Sequence, residues 1–240
     1  MTDINYDTFA EEYFELLTES YRNSLGKAPL AIYTMGIPAS GKSSSVKYIL
    51  PRLNVKKDEI VELDPDEIMM RFPNYTKNIN KSLLTTLNKT AVIIASKVLG
   101  KLIESKISFV YYGTGKSFSS YRGMLNKTKK AGYLNGLISV ILGSDEAIIR
   151  NSVRERSVGP SVIKDISRSL KSGLNAPKYA KGKTPFEALR DLEFVDFVFE
   201  IDTASKPPIV DLIKSTDEIV IKSNSAKSNS AKSNKKSNKK

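Results

Sequence analysis

A glycine-rich loop between an apolar run and a helical run is the feature that most constrains this chain. The segment GIPASGKS (36–43) fits G-x-x-x-x-G-K-[ST], and the apolar run PLAIYTM (29–35) precedes it. Glycines let the backbone turn so that successive N–H groups point at a phosphate, and the following helix adds its positive N-terminal end. The sequence therefore predicts a strand, a phosphate-binding loop and a helix in direct succession.

Each residue of this loop has an expected part in nucleotide binding. The Lys42 side chain is expected to neutralise the β- and γ-phosphates, and the Ser43 hydroxyl is the expected Mg²⁺ ligand. We therefore expect ATP or a close relative to bind together with magnesium. The expected ATP-binding residues are the loop and the serines at its end: Gly36, Ile37, Pro38, Ala39, Ser40, Gly41, Lys42, Ser43 and Ser44.

Apolar runs alternate with helical patterns over the rest of the chain. Amphipathic spacing predicts an N-terminal helix over 5–23 and a long helix over 78–105. Strands are predicted at 29–35, 59–64, 107–113, 137–143 and 195–202, with 217–222 as a further candidate for an edge strand. This alternation indicates an α/β fold of the P-loop kinase type, with a parallel sheet of about five strands flanked by helices.

Three loops are predicted to lie together at one edge of this sheet. Ligands of parallel sheets bind beyond the carboxyl ends of the strands. The loops 36–43, 64–67 and 113–117 each follow a predicted strand at that end. Their positions support a common site independently of the glycine loop pattern.

The composition limits the chemistry available to such a site. The chain contains no cysteine and no histidine, which excludes thiol nucleophiles, Cys/His zinc sites and histidine bases. A proton acceptor must therefore be Asp, Glu, Lys or Tyr. The N-terminus is polar and acidic, unlike a signal peptide, and no apolar run approaches the roughly 18 residues of a membrane span. We expect a cytoplasmic protein that is not a membrane protein.

A basic tail accounts for most of the net charge of +12. Residues 222–240 hold seven lysines and no acid, which leaves residues 1–221 with a net charge of +5. Because the tail has no apolar residue larger than Ala, we expect it to be disordered and 1–221 to form the folded domain. The tail is either a salt-sensitive tether to nucleic acid or a membrane surface, or a solvated extension without a partner.

Phosphate-binding loops occur in switches, motors and group transferases. A GTPase switch would need N-K-x-D, and the nearest segments, NKTA (88–91) and NKTK (126–129), lack the Asp. A motor-type ATPase would usually carry an apolar run followed directly by Asp-Glu, but Gly and Ser interrupt that order in ISVILGSDE (138–146). The sequence therefore favours neither a GTPase switch nor a motor-type ATPase.

A pair of aspartates follows the second predicted strand. Asp64 and Asp66 lie in VELDPDEIMMRFPNY (61–75), at the mouth of the predicted nucleotide site. Phosphoryl transfer to an alcohol requires a group that orients the hydroxyl and accepts its proton, and an aspartate suits that task where no histidine exists. Because Asp is also a favoured helix N-cap, capping of the following helix is the alternative explanation, more for Asp64 than for Asp66.

Together these segments resemble the zeta-toxin family of P-loop kinases. The resemblance covers roughly residues 28–202 and is carried by GIPASGKSS, LDPDEIMMRFPNY, a long helix, FVYYGTGKS and the arginines of RNSVRERS. Members of that family phosphorylate the 3′-hydroxyl of UDP-N-acetylglucosamine, and distant relatives phosphorylate drug hydroxyls or nucleic-acid 5′-ends. The resemblance implies that Asp66 is the base, and that Asp64 orients the hydroxyl or holds Mg²⁺ through water.

The resemblance also implies residues that bind the acceptor. The Thr114 hydroxyl and Gly115, in the Gly-Thr-Gly after the third strand, would approach the substrate. A plain turn is the alternative. One wall of the acceptor pocket would be formed by Phe72, Pro73, Asn74 and Tyr75, and packing around a turn is the alternative for these four residues.

Arginines of a lid-like segment reach over the phosphates in the family. By position we expect Arg156 first and Arg154 second to do so here, and the alternative for each is an exposed basic helix face. Arg150 lies four residues before Arg154, which predicts that both lie on one helical face.

Two departures from the family pattern concern the acceptor. Many members have an acid immediately before Gly-Thr, where this chain has Tyr112, and Ser96 stands near the position at which toxins use a glutamate. Three functions follow: a kinase of a small hydroxyl acceptor such as UDP-N-acetylglucosamine, a polynucleotide or nucleoside kinase, and an ATP-binding regulatory module that transfers nothing. No feature of the sequence identifies an antitoxin partner.

Overall fold

The computed structural model of this 240-residue chain describes residues 5–23, 27–76, 81–154, 157–172 and 182–216. Within them, a six-stranded sheet has the strand order β2-β3-β1-β4-β5-β6. The strands are β1 (Leu30–Met35), β2 (Val61–Leu63), β3 (Phe109–Tyr111), β4 (Leu134–Ile141), β5 (Phe197–Asp202) and β6 (Ile209–Ser215). The first five run parallel, and β6 pairs antiparallel with β5.

Helices cover both faces of this sheet. Those in the described ranges are α1 (Tyr6–Thr18), α2 (Lys42–Ile49), α3 (Pro65–Met70), α4 (Lys81–Glu104), α5 (Phe118–Lys130), α6 (Ser144–Ser152), α7 (Pro160–Lys171) and α8 (Pro185–Arg190). The predicted α/β fold of the P-loop kinase type, with parallel strands flanked by helices, is confirmed.

β6 was not predicted from the sequence, and the first helix ends earlier than its spacing predicts. β6 follows Pro207 and Pro208 and lies at the sheet edge with mostly exposed side chains, so its sequence lacks the buried apolar run that marked the other strands. α1 begins after Asn5, whose side chain accepts hydrogen bonds from two backbone N–H groups, but it ends at Thr18 rather than at residue 23. The predicted strand 217–222 and the tail 222–240 lie outside the described residues.

Alternation along the strands divides the core between the two faces of the sheet. On one face, Tyr33 and Phe109 join a cluster with α1, α3, α4 and α5. On the other face, Ile32 and Val110 join a cluster with α2. Successive strand side chains point to opposite faces, and both faces of this sheet are buried. The central strands therefore appear in the sequence as unbroken apolar runs.

α4 is the one helix in the described part of the chain that is long and apolar enough to cross a membrane. A window within Ser82–Glu104 has a mean hydropathy of 1.2, and 39% of it is buried inside the protein. α4 packs against α1 and α3, and its buried side belongs to the core: Leu87, Ala91, Ile94, Ala95, Val98, Leu99 and Leu102. This packing explains the apolar composition of α4 as that of a core helix.

The order of the strands sets the position of the site. β1 lies in the middle of the sheet, with β3 and β2 on one side and β4 and β5 on the other. Ligands of open α/β sheets bind at the carboxyl ends of strands where the order reverses in this way. The glycine loop follows β1 at that position.

Candidate active site

The loop after β1 has the backbone that its glycines predict. Gly36 has φ 142° and Gly41 has φ 92°, both of which favour glycine. A Cβ atom on Gly36 would lie 2.7 Å from the Val140 carbonyl oxygen and 2.8 Å from Ser40 Oγ, so a side chain there would disrupt the loop. Gly41 is the N-cap of α2, and the helix therefore begins directly beneath the loop.

Lys42 lies over this loop. Its Nζ donates hydrogen bonds to the carbonyl oxygens of Gly36, at 3.1 Å, and Ile37, at 3.0 Å. Burial lowers the pKa of Lys42 to about 8, a shift that the Asp64 and Asp66 carboxylates oppose and the Arg154 guanidinium reinforces. Asp64, Asp66 and Arg154 therefore each lie within electrostatic range of Lys42.

Two further features of the loop suit a bound anion and a fixed geometry. Ser40 is fully buried, and among the described residues its Oγ has no hydrogen-bond partner. Ile37 anchors the loop from the other side, since it packs in a small apolar cluster with Leu142 and with Ile163 of α7. A rigid concave loop with an unsatisfied buried hydroxyl is consistent with phosphate binding.

Asp64 caps α3 and is also part of the site. Its Oδ1 accepts a hydrogen bond of 2.8 Å from the Asp66 backbone N–H, and Pro65 follows at the first helical position. Burial raises the pKa of Asp64 to about 6, with the neighbouring Asp66 carboxylate acting in the same direction. The capping explanation thus holds for Asp64, while Asp66 lies two residues further on, exposed in the first turn of α3.

The Gly-Thr-Gly loop after β3 lies directly against the glycine loop. The Thr114 carbonyl oxygen accepts a hydrogen bond of 3.1 Å from the Gly36 N–H. Gly115 has φ 75°, and a Cβ atom there would overlap the Met35 side chain. The structure therefore brings Thr114 and Gly115 to the same edge of the sheet as Lys42, as the sequence predicts.

The tyrosines at the end of β3 point to opposite sides of the sheet. Tyr111 lies on the α3 side, where burial, and to a lesser degree the Asp64 carboxylate, raises its pKa to about 12. Tyr112 lies on the α2 side, where its hydroxyl donates a hydrogen bond of 2.7 Å to Glu62 Oε2 and contacts the Ser43 hydroxyl. Burial and Glu62 raise the pKa of Tyr112 far above its usual value, so Tyr112 keeps its proton.

The predicted arginines are placed differently from one another. α6 ends at Ser152, so Arg154 follows the helix and does not share a helical face with Arg150; that prediction was wrong. Arg154 is exposed and within electrostatic range of Lys42. Arg156 lies outside the described residues.

Arg150 faces the back of the glycine loop. It donates hydrogen bonds to Thr203, at 2.8 Å from the carbonyl oxygen, and Thr203 Oγ1 donates to the Ser40 carbonyl oxygen at 2.8 Å. An ion pair with Glu146 completes its surroundings. Arg150 therefore supports the loop through Thr203.

Asn151 closes the connection between α6 and α7 in which Arg154 lies. Its side-chain amide donates to the Val158 carbonyl oxygen at 2.8 Å, and its Oδ1 accepts from the Val158 N–H at 3.2 Å. Asn151 is buried. This pair of hydrogen bonds fixes the two ends of the arginine-bearing connection.

The segment after α3 is only in part a pocket wall. Phe72 belongs to the core, where its ring meets Phe9 of α1 edge-to-face with ring centroids 5.3 Å apart. Pro73 and Asn74 are exposed, and Tyr75 is half-buried against the core after a tight turn. Of these four residues, Tyr75 alone is half-buried.

Three residues of the site were not predicted from the sequence, namely Glu62, Asn151 and Thr203, and neither was the contact of Tyr112 with Ser43. Glu62 lies in a strand, and Asn151 lies near a helix end whose position no Gly or Pro marks. The signal for Tyr112 was its position before Gly-Thr, where the family usually has an acid.

The donor set is suited to magnesium held together with phosphates. No group of three or more His, Cys, Asp or Glu that could hold a metal occurs in the ranges that the structure describes. Mg²⁺ commonly takes one or two protein oxygens and completes its shell with phosphate and water. The Ser43 hydroxyl and the Asp64 and Asp66 carboxylates offer such oxygens near Lys42.

Solved structures with this fold include two with substantial coverage. The PezAT toxin–antitoxin system of Streptococcus pneumoniae gives a TM-score of 0.62 at 13% identity, over 85% of this chain and 80% of that chain. A structure of AvrRxo1-ORF1:-ORF2 with ATP gives a TM-score of 0.59 at 13% identity, over 89% of this chain and 68% of that chain. At these identities the likeness shows a shared fold.

The family comparison covers most of the site described above. Among curated proteins, no relative matches this sequence. The Zeta toxin family model matches residues 15–175, which include the glycine loop, the aspartate pair, the Gly-Thr-Gly loop and the arginine-bearing connection. The chain belongs to the zeta toxin family.

Proposed function

We propose that this protein transfers the γ-phosphoryl group of ATP to a hydroxyl of a small acceptor, with the 3′-hydroxyl of UDP-N-acetylglucosamine as the favoured target. The observation that carries the proposal is the convergence of Lys42, Arg154, Asp64 and Asp66 at the carboxyl end of the central strand. Family membership and the P-loop kinase fold support the transfer, and the family supports the choice of acceptor.

The proposed reaction uses each of these groups in a distinct role. The acceptor oxygen attacks the γ-phosphorus, the bond from that phosphorus to the β,γ-bridging oxygen breaks, and ADP leaves. Asp66 takes the proton of the acceptor hydroxyl, and Lys42 with Arg154 stabilises the charge on the transferred group. Arg156 is the second arginine that we assign to the phosphates.

Magnesium would be held by Ser43, with Asp64 acting directly or through water. When bound, it neutralises charge on the β- and γ-phosphates. The chain itself supplies the loop N–H groups and the α2 N-terminus on the phosphate side of the site. Tyr75, Thr114 and Gly115 would contact the acceptor on the α3 side.

Incubation of the protein with radiolabelled ATP and a panel of acceptors tests this function. The panel contains sugar nucleotides, nucleosides and 5′-hydroxyl oligonucleotides, and Lys42→Ala is the inactive control. We expect label on UDP-N-acetylglucosamine with the wild type and none with Lys42→Ala. Label on oligonucleotides alone would instead favour a polynucleotide kinase, a function that the lysines of the tail would support by binding the acceptor.

A non-transferring ATP-binding module gives a different outcome. ATP turnover that no acceptor changes and that survives Asp66→Asn would contradict the proposed transfer.

The family and the PezAT system, a toxin–antitoxin pair by its description, also support a protein partner that inhibits this chain. In that case, expression of the wild type alone should arrest cell growth, and expression of Lys42→Ala should not.

A further inference from the structure

The chain of contacts from Glu62 through Tyr112 to Ser43, here named the relay, lies beside the phosphate loop. Tyr112 donates to Glu62 Oε2 at 2.7 Å, and its oxygen is in contact with the Ser43 hydroxyl. Tyr112 is buried, and Glu62 is half-buried. The relay therefore runs from the edge strand β2 to the first turn of α2.

The sheet geometry fixes this arrangement. Glu62 is in register with Val110, so the two side chains lie on the same face of the β2–β3 pair. Tyr112 follows Val110 by two residues and shares that face, and its backbone N–H is bonded to the Leu63 carbonyl oxygen. The Tyr112 ring is thus held between β2 and α2 by both its backbone and its packing.

The hydrogen bonds of the relay all run in one direction, from Ser43 through Tyr112 to Glu62. A serine oxygen that binds a cation must present a lone pair to it, so its own proton must be donated elsewhere. The Tyr112 oxygen can accept that proton because the Tyr112 proton is donated to Glu62, and a carboxylate oxygen only accepts. Glu62 therefore determines in which direction the Ser43 lone pairs point.

We propose that Glu62 and Tyr112 are positioning residues for magnesium, which orient the Ser43 hydroxyl through the relay. This inference rests on the proposed function because it assumes that a nucleotide–magnesium complex binds at the loop.

Calorimetric titration of the full-length protein with a non-hydrolysable ATP analogue, once with magnesium and once with EDTA, tests the relay. The readout is the ratio of the two affinities in each variant, which does not require turnover. We expect Tyr112→Phe and Glu62→Gln each to weaken binding with magnesium on the order of tenfold and to leave binding in EDTA unchanged. The double variant should be no weaker than either single variant, because both break one chain of hydrogen bonds.

Glu67→Gln is the matched control. Glu67 lines the same cavity as Glu62 but is not part of the relay, so its ratio should equal that of the wild type. Tyr112→Phe keeps the buried ring, and its melting temperature shows whether the protein remains folded. Both affinities in a ratio are measured on the same variant. A loss of folded protein would therefore affect the measurement with magnesium and the measurement with EDTA alike.

Three results would overturn the inference: wild-type ratios in both relay variants, an equal loss of affinity with magnesium and with EDTA, or no dependence on magnesium in the wild type. The acceptor panel separates this from the proposed function. If the wild type labels an acceptor and both relay variants keep the wild-type affinity ratio, the relay is contradicted and the proposed transfer is not. If the relay variants have reduced affinity ratios but the wild type labels no acceptor, the relay is supported and the proposed transfer is contradicted.

Discussion

Asp64 uses one carboxylate both to cap α3 and to face Lys42 across the mouth of the loop. The capping bond favours its ionised form, but burial and the Asp66 carboxylate disfavour it more strongly, so its pKa rises to about 6. A group that binds its proton more tightly when folded lowers the free energy of unfolding as the pH rises. The charge of Asp64 therefore costs stability where the protein would be active, which is typical of functional sites.

Asp64→Asn should stabilise the protein at pH 8 and have little effect at pH 4. Asn is an equally good N-cap, so the substitution removes the charge and keeps the capping bond. The benefit should develop as the pH rises from about 4 to about 6 and reach about 1 to 2 kcal/mol, because Asp64 is half-buried and partly screened. Urea unfolding of both proteins across this pH range measures it. An equal loss of stability at both pH values would contradict the assigned pKa.

At this scale, the sequence was sufficient for the residues of the phosphate loop and insufficient for their supports. Gly36, Lys42 and Ser43 are recognisable because the motif requires each of them at fixed spacing. Thr203 binds the carbonyl oxygen of Ser40, which lies 163 residues earlier in the chain. No local pattern can reveal a partner at that distance.

At the scale of elements, the connection between α6 and α7 is held at its base by one buried amide. Asn151 bonds both the N–H and the carbonyl oxygen of Val158, which ties the end of α6 to the segment just before α7. A buried amide that satisfies both polar groups of one residue is worth more than an exposed hydrogen bond. The position of Arg154, within electrostatic range of Lys42, therefore depends on Asn151.

Asn151→Ala should loosen this loop without unfolding the protein. We expect trypsin to cleave after Arg154 or Arg156 several times faster than in the wild type, since local opening exposes the backbone there. Ser152→Ala, at the exposed end of the same helix, is the matched control and should be cleaved at the wild-type rate. Mass spectrometry of the fragments over time provides the measurement. Equal cleavage of both variants would show that Asn151 does not hold the loop.

Predictions of elements succeeded where burial leaves a pattern. β1, β3, β4 and β5 lie inside the sheet and read as apolar runs, whereas β6 at the edge alternates irregularly and was missed. α6 ends at Ser152 because tertiary contacts of Asn151 replace the next turn, and the sequence continues with helix-compatible residues. Elements that depend on distant partners were thus the ones misjudged.

At the scale of the whole molecule, the described residues between 5 and 216 form the folded body that carries the sheet and the described part of the site. The sheet, both core clusters and the charged groups around Lys42 belong to this body. We therefore propose that residues 222–240 form a separate region whose lysines act on binding and not on catalysis. This division is inferred from composition and from the location of the core.

Removal of residues 223–240 should leave the melting temperature and the rate of transfer unchanged. Retention of the protein on immobilised oligonucleotides at low salt should fall, because the deletion removes six of the seven tail lysines. Retention measured over a series of salt concentrations, with the full-length chain as the reference, provides the test. A loss of transfer after the deletion would place the tail in the active site.

The central claim is that Asp66 accepts the proton of an acceptor hydroxyl while Lys42 and the loop hold the phosphates. Single-turnover transfer from ATP to the acceptor identified by the panel, compared between the wild type and Asp66→Asn, tests it most directly. We expect Asp66→Asn to bind ATP as the wild type does and to transfer about 10²- to 10⁴-fold more slowly. Transfer by Asp66→Asn at the wild-type rate would contradict the account.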